Sequence, residues 1–117
     1  MNVQFKRNET RRLLSNTFNT TEGVLKYNVH NKKLHELAKF FIGWELKEQK
    51  IKFVMEAVFL NGQRTDILEL DTNTAIEILH TETKEACEQK SSTYPTDNVI
   101  MLDAMDVIKK HMEGLND

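Results

Sequence analysis

The chain has 117 residues, 39% of them apolar and 29% charged, with one proline, four glycines and a single cysteine. This composition describes one globular domain of regular elements joined by short turns, and excludes a disordered chain. The lone Cys87 excludes an internal disulfide, no apolar run reaches the roughly 20 residues that span a bilayer, and the amino terminus lacks a secretion signal. A cytoplasmic protein with no membrane partner is therefore expected.

Charge is unevenly spread. Residues 1–33 carry seven basic residues (Lys6, Arg7, Arg11, Arg12, Lys26, Lys32 and Lys33) against Glu9 and Glu22, a surplus of five. The net charge is -2, so the remainder carries a deficit of seven. The expected organisation is a polar basic arm over 1–30 followed by a single domain over 31–117. Arg11, Arg12, Lys32 and Lys33 are the candidate contacts to the phosphates of a nucleic acid.

In chain order, the arm holds only short apolar groups, among them Leu13, Leu14 and Phe18, and a short helix near 8–15 is expected. Asn31 is a candidate cap for a helix from 32 to 49, whose buried face is read from Leu34, Leu37, Ala38, Phe41, Ile42 and Leu46. Trp44 on that helix is a core or interface residue. Residues 51–59 alternate and are rich in β-formers. Asn61-Gly62 then signals a hairpin into a second strand, 64–70. A turn at 71–74 leads to a third strand, 75–79. A charged helix from 82 to about 92 ends at Tyr94-Pro95. Residues 98–102 read as a short buried strand, and Asp103 caps a last helix to about 113. The order α-β-β-β-α-β-α gives an α/β fold with a mixed sheet flanked by helices.

Acidic residues among apolar strands stand out. A two-residue turn at Thr72-Asn73 and a four-residue loop give the same expected register: Asp66 opposite Leu79 and Leu68 opposite Glu77. Asp66 and Glu77 are then diagonal neighbours on one face, about 7–8 Å apart at the backbone. Two carboxylates about 4 Å apart repel by about 4 kcal/mol at an effective dielectric of 20. A bound cation removes that cost, and oxygen donors select Mg²⁺ or Mn²⁺. Glu56, amid FVMEAVF, joins the same face if the first hairpin carries a one-residue bulge, and the opposite face if it does not. His80 follows the third strand near these acids. Glu69, Glu82, Glu85 and Glu88 are expected on a solvated rim.

The stretch MEAVFLNGQRTDILELDTNTAIEIL, with the preceding helix HELAKFFIGWELKEQ, resembles the PD-(D/E)xK nuclease superfamily over roughly residues 34–102. That superfamily includes restriction endonucleases and Holliday-junction resolvases. The resemblance implies a restriction-endonuclease-like α-β-β-β-α-β core, metal-dependent cleavage of DNA and a homodimer, since such small nucleases often dimerise to address two strands. It assigns Asp66 and Glu77 to metal binding, and Glu36 resembles a helix acid that contributes to the metal in related resolvases. The motif lysine falls at Leu79, which departs from the pattern. The resemblance implies Lys90 as its replacement on the following helix, with Lys84 as a second candidate, because Lys90-x-x-x-Tyr94 is similar to a feature some of these nucleases carry. The expected function is a metal-dependent deoxyribonuclease with Asp66, Glu77, Lys90 and Glu56 as catalytic residues. The alternative is a catalytically impaired relative that binds nucleic acid or a protein.

Overall fold

A computed structural model describes residues 2–15 and 21–115. Phe18 of the arm lies outside them. The elements are α1 (Val3–Arg11), α2 (Lys33–Glu48), β1 (Phe53–Val58), β2 (Arg64–Glu69), β3 (Thr74–Leu79), α3 (Lys84–Ser91), β4 (Asn98–Asp103) and α4 (Ala104–Gly114). The strands form one mixed sheet in the order β1-β2-β3-β4, antiparallel except for the parallel pair β3–β4. The fold is therefore α/β. Among the described residues no helix is long and apolar enough to cross a membrane.

Both faces of the sheet are covered. Phe53, Met55, Ile67, Ile76 and Ile78 pack with Ala38 and Leu46 of α2 and with Ala104 and Val107 of α4. On the other face Val54, Leu68 and Ala75 pack with Leu14, Phe59, Leu70 and Tyr94. Gly43 lets α2 lie close to β1: a Cβ there would stand 2.2 Å from the Met55 methyl and 2.5 Å from Leu25 Cδ2. The strand 98–102 was expected to be buried. It is instead the sheet edge, with Ile100 exposed.

Three sequence expectations are corrected. The first helix starts at residue 3 and ends at 11, because Asn2 accepts a hydrogen bond from Gln4 N and caps it. It is docked and does not form a free arm: Arg7 pairs with Asp71, and Thr10, 0% exposed, donates its hydroxyl to the Leu70 carbonyl at 3.0 Å. The second correction concerns α2: Ala38, Phe41, Ile42 and Leu46 meet the core as expected, but Leu34 and Leu37 do not, and charged residues share the inner face. Glu36, Ala38, Lys39, Gly43 and Leu46 are its buried residues, while Leu34, Leu37, Phe40 and Trp44 face out. Asn31 does not cap it. Its amide donates to Glu36 instead.

The third correction is register. The β2–β3 ladder pairs Glu69 with Thr74 and Ile67 with Ile76, closing a loop over 70–73 in which Asn73 is left-handed at φ 53°. Continuing that ladder brings Asp66 directly opposite Glu77, two residues away from the expected partner Leu79. In the first hairpin Phe59 N donates to the Gln63 carbonyl across Leu60-Asn61-Gly62, and Gly62 sits at φ 87°. This is a three-residue loop with its left-handed glycine last, not a two-residue turn. The flanking pairs Met55↔Ile67 and Ala57↔Thr65 place Glu56 level with Asp66.

Replacing Thr10 by valine keeps its shape but strips the Leu70 carbonyl of that donor. The expected loss is about 1–3 kcal/mol in chemical denaturation. Hydrogen exchange should quicken across α1 before the sheet, since Thr10 is the buried polar contact of that helix.

Candidate functional site

The site is built where β2 and β3 stop exchanging regular ladder bonds after Ile67↔Ile76. Side chains take over there. Asp66 accepts the Ile78 N–H at 2.8 Å through Oδ2. Glu77 lies close enough to Asp66 that each carboxyl acts on the other's ionisation.

From this pair a chain of alternating charge runs into α2. Asp66 Oδ2 meets His35 Nε2 at 3.2 Å, and His35 Nδ1 meets Glu36 Oε2 at 2.8 Å. Lys39 Nζ then bridges Glu36 at 2.7 Å and Glu56 at 2.8 Å. Lys39 is 1% exposed and Glu36 5% exposed. Glu56 reaches this lysine because it adopts φ 51° inside β1. That left-handed residue breaks the strand's alternation: Phe53 and Met55 belong to the core under α2, but Ala57 and Phe59 belong to the opposite one. Strain of this kind in a non-glycine residue costs about 1–3 kcal/mol and persists only where the surroundings fix it.

On the other side, α3 and the turn after it close around Glu77, which is 2% exposed. The Tyr94 hydroxyl touches both Glu77 Oε1 and the Arg64 carbonyl. Lys90 Nζ lies 3.8 Å from Glu77 Oε1 and 3.3 Å from Glu82 Oε2. α3 ends at Ser91, so Lys90 and Tyr94 do not share a helical turn as the sequence suggested. They converge on Glu77 because Tyr94 N bonds back to the Ser91 carbonyl. Two cavities, of about 320 and about 460 Å³, flank the pair and share Asn31, Asp66 and Lys90 in their walls.

The electrostatics follow from this packing. Both ring nitrogens of His35 face carboxylates, so the ring is satisfied only as an imidazolium. Burial opposes that charge, but Asp66 and then Glu36 outweigh it and raise the pKa to about 9. Burial also pushes Asp66 up, yet the bonds from His35 and Ile78 N hold it below the usual carboxylate value. Glu77 goes the other way. Its burial, and then the adjacent Asp66 charge, raise it to about 7 against the opposing Tyr94 bond and Lys90 charge.

Of the residues singled out in the sequence, Asp66, Glu77, Glu56, Glu36 and Lys90 are brought into one network. Both Glu36 oxygens are taken by Asn28 N, Asn31, His35 and Lys39, which makes it an anchor, not a free ligand. Lys32 is exposed on the wall of the smaller cavity, with His80 nearby, and Lys33 is exposed at the start of α2. Arg11 is held by Glu22 at the outer edge of β1, across two strands from Glu77, and Arg12 is exposed. Glu82, expected on the rim, pairs with Lys90. Leu79 pairs with Asp103 on β4. His35, half-buried, and Lys39, buried, belong to the network too, although from sequence they were open to contact with phosphate. Their signal was the spacing of Glu36 and Lys39, one turn apart beside a glycine two turns along, which reads equally well as an exposed face.

Among the described residues, no three His, Cys, Asp or Glu side chains form a ready-made metal cage. The donor set nevertheless suits one class of ion. Glu36, Glu56, Asp66, Glu77 and Glu82 face three cations, His35, Lys39 and Lys90. Mg²⁺ keeps most of its waters and takes only one or two carboxylates from a protein. Asp66 and Glu77 beside open cavities would suit that demand.

No protein-family model, curated protein or solved structure matches this chain.

The raised His35 pKa makes stability depend on pH. Stability supplied by the imidazolium is fully present below 6.5 and is lost as pH rises to about 9. At 1.36 kcal/mol per unit, the fall is expected to reach about 3 kcal/mol. His35→Gln should flatten it in urea titrations between pH 6 and 9. Lys39→Met, which leaves two buried acids without their cation, should cost about 3–5 kcal/mol.

Proposed function

We propose that this chain is a metal-dependent nuclease with a restriction-endonuclease-like core of the PD-(D/E)xK type, acting on DNA phosphodiester bonds. The observation that carries the reading is the opposed pair of half-buried Asp66 and buried Glu77, set beside open cavities at the point where two strands part. The order of helix, three antiparallel strands, helix and parallel fourth strand is consistent with it. Asp66 and Glu77 would hold a Mg²⁺ or Mn²⁺ ion, which supplies Lewis acidity to the phosphodiester and to the attacking water.

The chain's own residues set the terms for that chemistry. His35 keeps Asp66 ionised and, with Ile78 N–H, fixes the direction of its carboxylate. Tyr94 orients Glu77 and holds it beside Asp66. Lys90 stands where the motif lysine is missing: its ammonium reaches Glu77 and lines both cavities, so it can neutralise charge that develops on a phosphate there. Lys32, exposed on the wall of the smaller cavity, and Lys33, exposed next to it in sequence, suit backbone phosphates of the substrate, whereas Arg11 is already committed to Glu22. Glu56 is committed to Lys39, so its part is to fix α2 over the site and not to meet substrate.

The test is cleavage of linear, single-stranded and four-way-junction DNA with Mg²⁺ or Mn²⁺, alongside calorimetric titration of each ion. Asp66→Asn and Glu77→Gln should lose ion binding and at least about 100-fold in cleavage rate. Lys90→Ala should lose about 10²–10⁴-fold in rate while still binding the ion. Full activity in Lys90→Ala would remove the lysine from the account. Ion binding that depends on Asp66 and Glu77 without cleavage of any substrate would leave a nucleic-acid-binding relative. Binding of neither ion would sink the reading.

A further inference from the structure

Helix α2 has two faces of opposite kinds. His35, Glu36 and Lys39 turn inward to the network, and Leu37, Phe40 and Trp44 are left outside at spacings of three and four. Trp44 is 53% exposed, and its ring lies 5.7 Å from that of Phe40. Beside them on α4, the His111 ring stacks on Phe41 at 5.0 Å, and Leu115 is exposed. Between the two helices runs an apolar groove of about 450 Å³. A monomeric surface seldom carries aromatic side chains clustered in this way.

We propose that this groove is the interface between two copies of the chain, with Trp44 of each copy seated against the groove of the other. Charge selects a second copy as the occupant. The α2 rim of the groove is acidic, with Glu45 and Glu48, and the α4 rim is basic, with Lys110. Glu45 pairs with His111 of its own chain at 3.4 Å. Glu48 and Lys110 have no ion-pair partner among the described residues. A two-fold axis through the groove sets the acidic rim of one copy against the basic rim of the other, and the reverse, so both edges are satisfied at once. An aromatic centre inside a charged rim is also how such interfaces are built. A small ligand fits less well, because no buried polar side chain converges on the groove to orient one. This inference is independent of the nuclease reading, since none of these residues touches the carboxylate network.

Trp44 is the only tryptophan in the chain, so its fluorescence reports on this surface alone. Sedimentation equilibrium of the full chain should give a dimer, and dilution to monomer should move the emission to the red. Trp44→Glu should sediment as a monomer with an unchanged far-ultraviolet circular dichroism spectrum. Glu48→Lys should weaken the dimer about tenfold, read as the shift in its dissociation constant, and adding Lys110→Glu should restore it. A wild-type chain that stays monomeric at about 100 µM would overturn the proposal, because any interface of that affinity is populated there. A dimer that survives Trp44→Glu would overturn it as well, as would a double charge reversal that fails to restore association.

Discussion

A single buried ammonium, that of Lys39, ties the molecule together. It sits between Glu36 on its own helix and Glu56 on β1, with almost no access to water. Removing such a charge from water costs several kcal/mol, and only good geometry with opposite charges returns it. The geometry found here determines much else. It requires α2 to lie close over β1, which Gly43 permits, and it requires Glu56 to leave the regular strand conformation. It also fixes Glu36, and through it His35, so that the imidazole meets Asp66 from the helix side. The carboxylate pair is thus held by a relay of charges that begins about one helical turn along α2 from His35.

The same constraint shapes the inner face of α2. Ala38, Phe41, Ile42 and Leu46 meet the core, but they share that face with Glu36, Lys39 and Gly43. Leu37, Phe40 and Trp44 are left on the outside. The inner and outer faces of α2 are two consequences of one packing decision.

Much of the fold was legible from local signals. Alternation identified β1 and β2, the length and composition of 33–48 gave α2, and Asp103 accepts from Asp106 N as a helix cap should. Asp66 and Glu77 were legible as a pair because both expected and observed registers keep them on one face. Their direct opposition was not, since it depends on a loop shifted to 70–73 with Asn73 left-handed. The partners of Lys39 and His35 were hidden for a related reason. A charged residue on a helix reads as solvated unless its partner on another element is known, and Glu56 reveals itself only through a backbone angle that sequence does not carry. Tyr94 was noticed for its spacing from Lys90, but its contact with Glu77 depends on the turn that follows α3.

The central claim is that burial beside Asp66 leaves Glu77 protonated near neutrality, and that a divalent cation held by the two would displace that proton. Carbon-13 NMR of the two side-chain carboxyls, titrated with pH with and without Mg²⁺, measures this directly. The account predicts that Glu77 titrates well above an ordinary glutamate, near 7, while Asp66 stays below an ordinary aspartate. Saturating Mg²⁺ should then bring Glu77 down so that it is ionised throughout the neutral range. An ordinary titration of Glu77, or a raised one that neither Mg²⁺ nor Mn²⁺ shifts, would contradict it.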